Sequence, residues 1–357
     1  MSATPPSSDP SRRTVLGAGA AAAVSVLLRA QHAAAEEPTP APTVPEQPAP
    51  EPTAPEQPTP SPRRDLVLWG SSSAASHAYD RYPVGFRPVR IHEALAVLLG
   101  VAGSTEGVAG HQSHHTVAMR RYDRPYRPDF AYLGQGGVLP SQGKVVLSVL
   151  DGRMPTAYRR LPGTVAGVPC SIEAVPGRRN KVLLRREGIG EEVVVGSGPQ
   201  SWWHTGLEAA HRGKTHLIWT GKNNIMDVSG VLADTRAVFE VEPATSVVMG
   251  HFPSSWYWEN PSGALARLRQ VNDAYRAEYG RRYFDALAAL RDPALWKVGD
   301  LARFSIGTSP ADKLALGRGM VPPSLMAPRD GLHLNALGNL VIAHGLARFL
   351  TGAAGLY

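Results

Sequence analysis

Two stretches of the chain carry residues that can do chemistry. Close to the C-terminus, Asp-Gly-Leu-His-Leu-Asn sets Asp330 and His333 three positions apart. On a helical turn that spacing brings a carboxylate and an imidazole to one side, where the first can orient the second. Far upstream, Trp-Gly-Ser-Ser-Ser-Ala places Ser71, Ser72 and Ser73 directly after the apolar run Leu66 to Trp69. Such a run reads as a buried strand and the small residues as a tight turn, which presents a hydroxyl at the strand's C-terminal end.

The elements that must position these groups alternate. After the first strand comes a helical stretch, PVRIHEALAVLLGVAG, with Ile91, Leu95 and Leu98 at core spacing. Strand-like THLIWTGKNN, a helix around GVLADTRAVFEV, strand-like SVVMGHF and the helix GALARLRQVNDAYRAEYG follow, and a last helix starts within HLNALGNLVIAHGLARFL. This alternation predicts a three-layer α/β/α parallel sheet of flavodoxin-like type, and such sheets bind ligands outside the C-terminal ends of their strands. Between Gly110 and Gly221 lie about 110 residues, far more than the ~30 of a strand-helix-strand crossover. Within them GKVVLSVL, GVPCSIEAV, NKVLLRREG and EEVVVGSG are short β-type runs broken by Gly, Pro and Asn. They predict a small antiparallel β subdomain inserted over 140–200 and overhanging the strand-end edge.

In order along the chain, WGSSSA, GVAG, TGKNN and DGLHLN resemble the four blocks of the SGNH, or GDSL-type, hydrolases. Their order and their positions at strand ends make the combination more specific than any one block. Ester cleavage needs a hydroxyl nucleophile, a base, a group that fixes the base's tautomer, and donors aimed at the developing oxyanion. The resemblance implies that Ser72 is the nucleophile, His333 the base and then acid, and Asp330 the orienting carboxylate. It also implies an oxyanion hole made of the backbone N–H of Ser72, the backbone N–H of Gly110 and the amide of Asn223. Among the three serines the choice of Ser72 rests on aligning Gly70-Ser71-Ser72 with the family's Gly-Asp-Ser, so Ser71 stands where the family has aspartate. Asn224 likewise stands where aspartate often follows Gly-x-Asn. The competing reading of these residues is structural, with the serines and Asp330 as helix caps and His333 as a satisfied surface residue.

The chain's 357 residues, 43% hydrophobic, suit one or two globular domains. Its formal charge of +7 is spread without a basic block, which gives no sign of a nucleic-acid partner. Arg12 and Arg13 precede an Ala/Gly-rich apolar stretch, and Ala33-Ala34-Ala35 offers a cleavage site, so 1–35 resembles a twin-arginine export signal. That stretch falls short of a membrane span, and no integral span is expected after cleavage. Residues 36–64 are proline-punctuated and read as an extended spacer, leaving 65–357 as the catalytic domain. The single Cys170 forms no internal disulfide. His111, His114 and His115 have ligand-like spacing but lack a neighbouring carboxylate or cysteine cluster, so no metal and no cofactor is expected. Trp256, Tyr257 and Trp258, in a loop after a predicted strand, are candidate substrate contacts; Trp202 and Trp203 are weaker ones.

Two function classes follow. The first is a secreted, monomeric serine esterase, extracytoplasmic or associated with the cell wall, that removes short O-acyl groups such as acetyl from a carbohydrate or other polymer. Its close rival is a lipase or general carboxylesterase. The second class is a non-catalytic carbohydrate-binding module on a hydrolase scaffold.

Overall fold

The computed structural model describes residues 63–76, 88–124, 128–129, 137–149, 160–253, 263–328 and 331–357. The export signal, nearly all of the spacer, Trp256 to Trp258 and Asp330 lie outside these residues.

Five strands form an all-parallel sheet, in the order Tyr283–Phe284, Ser246–Met249, Thr215–Trp219, β1 (Leu66–Gly70) and β2 (Gly103–Gly107). Both β1 and Thr215–Trp219 are buried along their whole length, as a strand covered on two faces must be. Alternate residues of β1 serve different cores. Leu66 and Leu68 pack with Leu217, with Ile91 and Leu95 of helix α2 (Ile91–Leu99), and with Val341, Ile342 and Leu346 of the last helix (Ala336–Thr351). Val67 and Trp69 face the other way, against Met119 of helix α3 (Ser113–Arg120) and Leu147, Leu161, Ile172 and Leu184. On the same face but farther along the sheet, Ile218 and Val248 pack with Val231, Leu268 and Val271 of helices Val228–Phe239 and Ala264–Tyr279. The α/β/α layering expected from the alternation is thus present.

The insertion is also antiparallel β, a six-stranded sheet whose neighbours are Trp203–Thr205, Leu161–Val165, Val168–Val175, Arg178–Arg186, Lys144–Val149 and Pro128–Asp129. It shares its core with Val67 and Trp69 and so covers a face of the parallel sheet. Cys170 lies in that core, where burial pushes the thiol up to about 11. Such a thiol stays protonated and unreactive at neutral pH.

One detail of helix α2 departs from the spacing read in the sequence. Leu99, not Leu98, is buried, and Leu98 is 42% exposed. The apolar stripe therefore runs i, i+4, i+8, and Gly100 ends the helix in the left-handed conformation.

Histidines within the layers are held in their neutral forms. Trp69 donates its indole N–H to Nδ1 of His216 at 3.1 Å, and Nε2 of His216 faces the Glu242 carboxylate. With Nδ1 accepting, the single ring proton sits on Nε2 and donates to Glu242. The Glu242 charge is met instead by Arg120, which donates at 3.2 Å and lies over the Trp69 ring at 5.2 Å. Burial, and then the Arg120 charge, holds His216 well below the usual histidine range. Burial and then Lys222 likewise push His251 down to about 3.

These histidines make the fold acid-sensitive. The unfolded chain binds their protons below about pH 6.5, whereas the folded chain does not, so stability falls as pH drops from there. Each fully depressed histidine should remove up to about 1.4 kcal/mol per pH unit between about pH 6.5 and 5. Urea midpoints at pH 8, 6.5 and 5 test this, and a midpoint that stays constant down to pH 5 contradicts it.

Candidate active site

Backbone sterics set the position of Ser72. β1 ends at Gly70 with φ +145, and a Cβ there would stand 1.9 Å from the carbonyl oxygen of Trp219. Only glycine lets the strand end this close to its neighbour. The chain then enters a one-turn helix, α1 (Ser72–Ala75), which begins at the serine itself. Gly107, paired with Gly70 at the end of β2, admits α1 on the other side: its Cβ would lie 2.3 Å from the nitrogen of Ala75. Thr105 completes the clamp by donating to the carbonyls of Leu68 and Ala74, at 3.1 and 2.9 Å. Ser71 makes no side-chain cap bond and is buried, whereas Ser72 is partly exposed.

His333 arrives from the opposite end of the chain. It precedes the last helix rather than lying in it, because Asn335 is the N-cap and accepts from the nitrogen of Gly338 at 2.9 Å. The sequence expectation of a helical turn spanning Asp330 and His333 is corrected on this point for His333. Its backbone is fixed by the segment before it. The Ala327 nitrogen donates to the His333 carbonyl at 2.8 Å, Met326 and Leu334 form an antiparallel bridge, and the Asn335 amide donates to the carbonyls of Ser324 and Met326. Held in this way, Nε2 of His333 lies 2.7 Å from Oγ of Ser72, across 261 positions of sequence. That is a hydrogen bond of the length expected between a nucleophile and its base.

Two of the oxyanion candidates, Asn223 and Gly110, are brought near one another. Asn223, in the 3-10 turn Lys222–Asn224 after strand Thr215–Trp219, donates its amide to the carbonyl of His111 at 2.7 Å. His111 follows Gly110, whose φ of +80 and open surroundings suit glycine. The bond uses one of the two amide hydrogens of Asn223 and fixes the direction of the other. Asn224 braces the same turn from below: its Oδ1 accepts from the Ser113 nitrogen at 3.0 Å and its Nδ2 donates to Ser113 Oγ at 2.9 Å. Ser113 Oγ itself donates to Asp234 at 2.5 Å. The hydroxyl is therefore committed as a donor and needs a donor in return, which asparagine supplies and aspartate would not. This accounts for Asn224 where the resemblance led one to expect aspartate.

The nearby histidines pack on one another. The rings of His111 and His115 stack at 4.8 Å and 14°, and those of His114 and His115 lie 4.2 Å apart. Ring nitrogens carry their lone pairs in the ring plane, so stacked rings point them in parallel rather than toward one ion. Nδ1 of His115 also accepts from the Gln112 nitrogen, as part of the cap of α3. Burial, and then the neighbouring His115 and His114, holds His111 far below the ordinary histidine value.

A small pocket opens at Ser72, lined by Ser72, Ser73, Ser76, Trp219, His333, Leu334 and Asn339. Trp219 is fixed by donation from its indole to the Gly250 carbonyl at 3.0 Å. Sequence reading did not single out Trp219, Thr105 or the Trp69–His216–Glu242–Arg120 chain. Of these only Trp219, the last residue of a predicted strand ending at the ligand edge, carried a positional signal.

No family model matches the chain, and no curated protein sequence matches it. Among solved structures it is similar to the crystal structure of the lipase/acylhydrolase from Enterococcus faecalis, with 12% identity and a TM-score of 0.38, over 81% of this chain and 96% of that one. At that TM-score the similarity carries no functional argument, and the site stands on its own geometry.

Replacing Asn224 by Ala removes both bonds to Ser113, which is fully buried, and leaves its N–H unsatisfied. The expected cost is about 1–3 kcal/mol of stability. Chemical denaturation of Asn224→Ala measures it, and an unchanged midpoint would mean that the brace holds nothing.

Proposed function

We propose that the protein is a serine ester hydrolase acting on short-chain O-acyl esters. The observation that carries this reading is the 2.7 Å hydrogen bond between Ser72 Oγ and His333 Nε2 at the C-terminal edge of a parallel sheet. A serine and an imidazole so placed, with a side-chain amide fixed after the strand that pairs with β1, support the set of roles that acyl transfer needs.

In this reading Ser72 Oγ attacks the ester carbonyl carbon while its proton passes to Nε2 of His333. The carbonyl oxygen becomes an oxyanion, met by the N–H groups of Ser72 and Gly110 and the amide of Asn223. When the intermediate collapses, the bond between carbonyl carbon and alcohol oxygen breaks and that oxygen takes the proton from His333. Water then attacks the acyl-enzyme, giving its proton to His333, and the carboxylic acid leaves as Ser72 regains its hydrogen. Asp330, three residues before the base, is assigned to orient the ring through Nδ1.

The size of the pocket supports a short acyl group. Between Ser72, Trp219 and Leu334 there is room for about one water-sized group, which suits the methyl of an acetyl ester. The twin-arginine-like leader and the proline-rich spacer support an extracytoplasmic setting, with the spacer setting the domain off from its attachment. We assign no resident metal or cofactor, and take the functional unit to be a monomer.

Ser72→Ala should lower hydrolysis of 4-nitrophenyl acetate by several orders of magnitude, and a fluorophosphonate should add its mass to the peptide that contains Ser72. Asn223→Ala should lower kcat by about 10²–10³-fold with KM little changed. Full activity in Ser72→Ala, or labelling at another residue, rejects the assignment.

A further inference from the structure

Among the described residues that line the small pocket at Ser72, Trp219 has the largest side chain, and its ring is held in place from behind. Its indole N–H donates to the Gly250 carbonyl at 3.0 Å, and its ring packs on Phe252 with 5.8 Å between centroids. Phe252 is pinned in turn, because Lys222 donates to its carbonyl at 2.8 Å and lies 4.3 Å from its ring centre. Other walls of the pocket are tied as well. The Asn339 amide donates to the Val89 carbonyl at 2.8 Å, and Leu334 is bridged to Met326. Walls held in this way widen for a longer guest only by breaking a hydrogen bond or a packed contact.

The two faces of the sheet relate this pocket to the chemistry. Leu217 and Trp219 pack on the face of the last helix, whereas Ile218 between them packs on the opposite face with Val231. The turn Lys222–Asn224 is braced on the Ile218 side, through Asn224 to Ser113 of α3 and through Ser113 to Asp234 of helix Val228–Phe239. In the esterase reading the oxyanion is drawn toward that side. The leaving alcohol oxygen must come to Nε2 of His333 to collect its proton. The acyl chain is the substituent that remains, and the pocket between Ser72 and Trp219 is the space the described residues offer it.

We propose that Trp219 determines acyl specificity: its ring is the end wall of the acyl site and limits the acid part of the ester to acetyl or propionyl. The proposal rests on the esterase reading above and deepens it. Trp219 is 2% exposed, so its indole fills interior space that no other group occupies. Truncating it to alanine would free on the order of 150 Å3, the size of cavity that takes up benzene, directly beside Ser72. A longer acyl chain would then have somewhere to go.

Two ester series test this. In the first, the acid of a 4-nitrophenyl ester runs from acetate through propionate and butyrate to hexanoate; in the second, acetyl is kept and the alcohol runs from ethanol to hexanol. The wild-type protein should lose about tenfold or more in kcat/KM for each CH2 beyond propionyl. Trp219→Ala should raise the hexanoate-to-acetate ratio of kcat/KM at least about 100-fold, and Trp219→Phe, which keeps an aromatic ring in the core, at least about threefold. A ratio measured on one preparation is independent of how much of the protein is folded, so lost stability does not imitate the result. If Trp219→Ala fails to fold, Trp219→Phe decides. The alcohol series should keep its wild-type slope in both variants. Ser72-dependent hydrolysis with a flat wild-type acid series, with smaller shifts of the ratio, or with the change in the alcohol series instead, overturns the role of Trp219 and leaves the esterase standing. Absence of ester hydrolysis throughout, or hydrolysis undiminished in Ser72→Ala, overturns both.

Discussion

The site depends on two places where the backbone has no room for a Cβ. Gly70 ends β1 against the Trp219 carbonyl, and Gly107 ends β2 against the nitrogen of Ala75. These two residues are register partners, so the close approaches occur at one level of the sheet, its C-terminal edge. A side chain at either would force the first helix away from the strands and carry Ser72 with it. The position of Ser72 is therefore set less by contacts of its own than by the absence of atoms beside it.

His333 is positioned by a different kind of constraint. Where Ser72 is fixed by steric closeness, His333 is fixed by a short antiparallel bridge and by the Asn335 amide, which spans the carbonyls of Ser324 and Met326 and whose own Oδ1 caps the last helix. One asparagine thus joins the start of a sixteen-residue helix to the segment that carries His333. The helix in turn buries Val341, Ile342 and Leu346 against β1 and α2. Burial of these side chains, each worth roughly 1.5–3 kcal/mol, is what holds the two ends of the chain in register. The 2.7 Å separation at the site is a consequence of that packing.

Much of this was legible in the sequence because it is written in local patterns. Leu66 to Trp69 followed by small residues reads as a strand and turn wherever it occurs, and alternating strand and helix patterns leave few sheet topologies to choose from. The start of the last helix at Asn335 is also legible, since asparagine before Ala-Leu-Gly is a capping signal, and it puts His333 ahead of the helix. The chain Trp69–His216–Glu242–Arg120 was not legible. Its members come from two strands, a helix and a turn, and no spacing among them reports that the fold will stack them.

The histidines show how one side-chain type is divided between structure and chemistry. His216 and His251 are fully enclosed, and the cost of burying an imidazolium keeps them neutral well below the usual titration range. His111 is enclosed too, and its backbone carbonyl, rather than its ring, serves the site by aiming Asn223. His333 alone among these four is partly open to solvent, with a hydroxyl in reach of Nε2. A general base must exchange its proton during every turnover, and only a ring with access to water and substrate can do so. The burial that makes the fold sensitive to acid therefore encloses three of these four imidazoles and leaves His333 partly exposed.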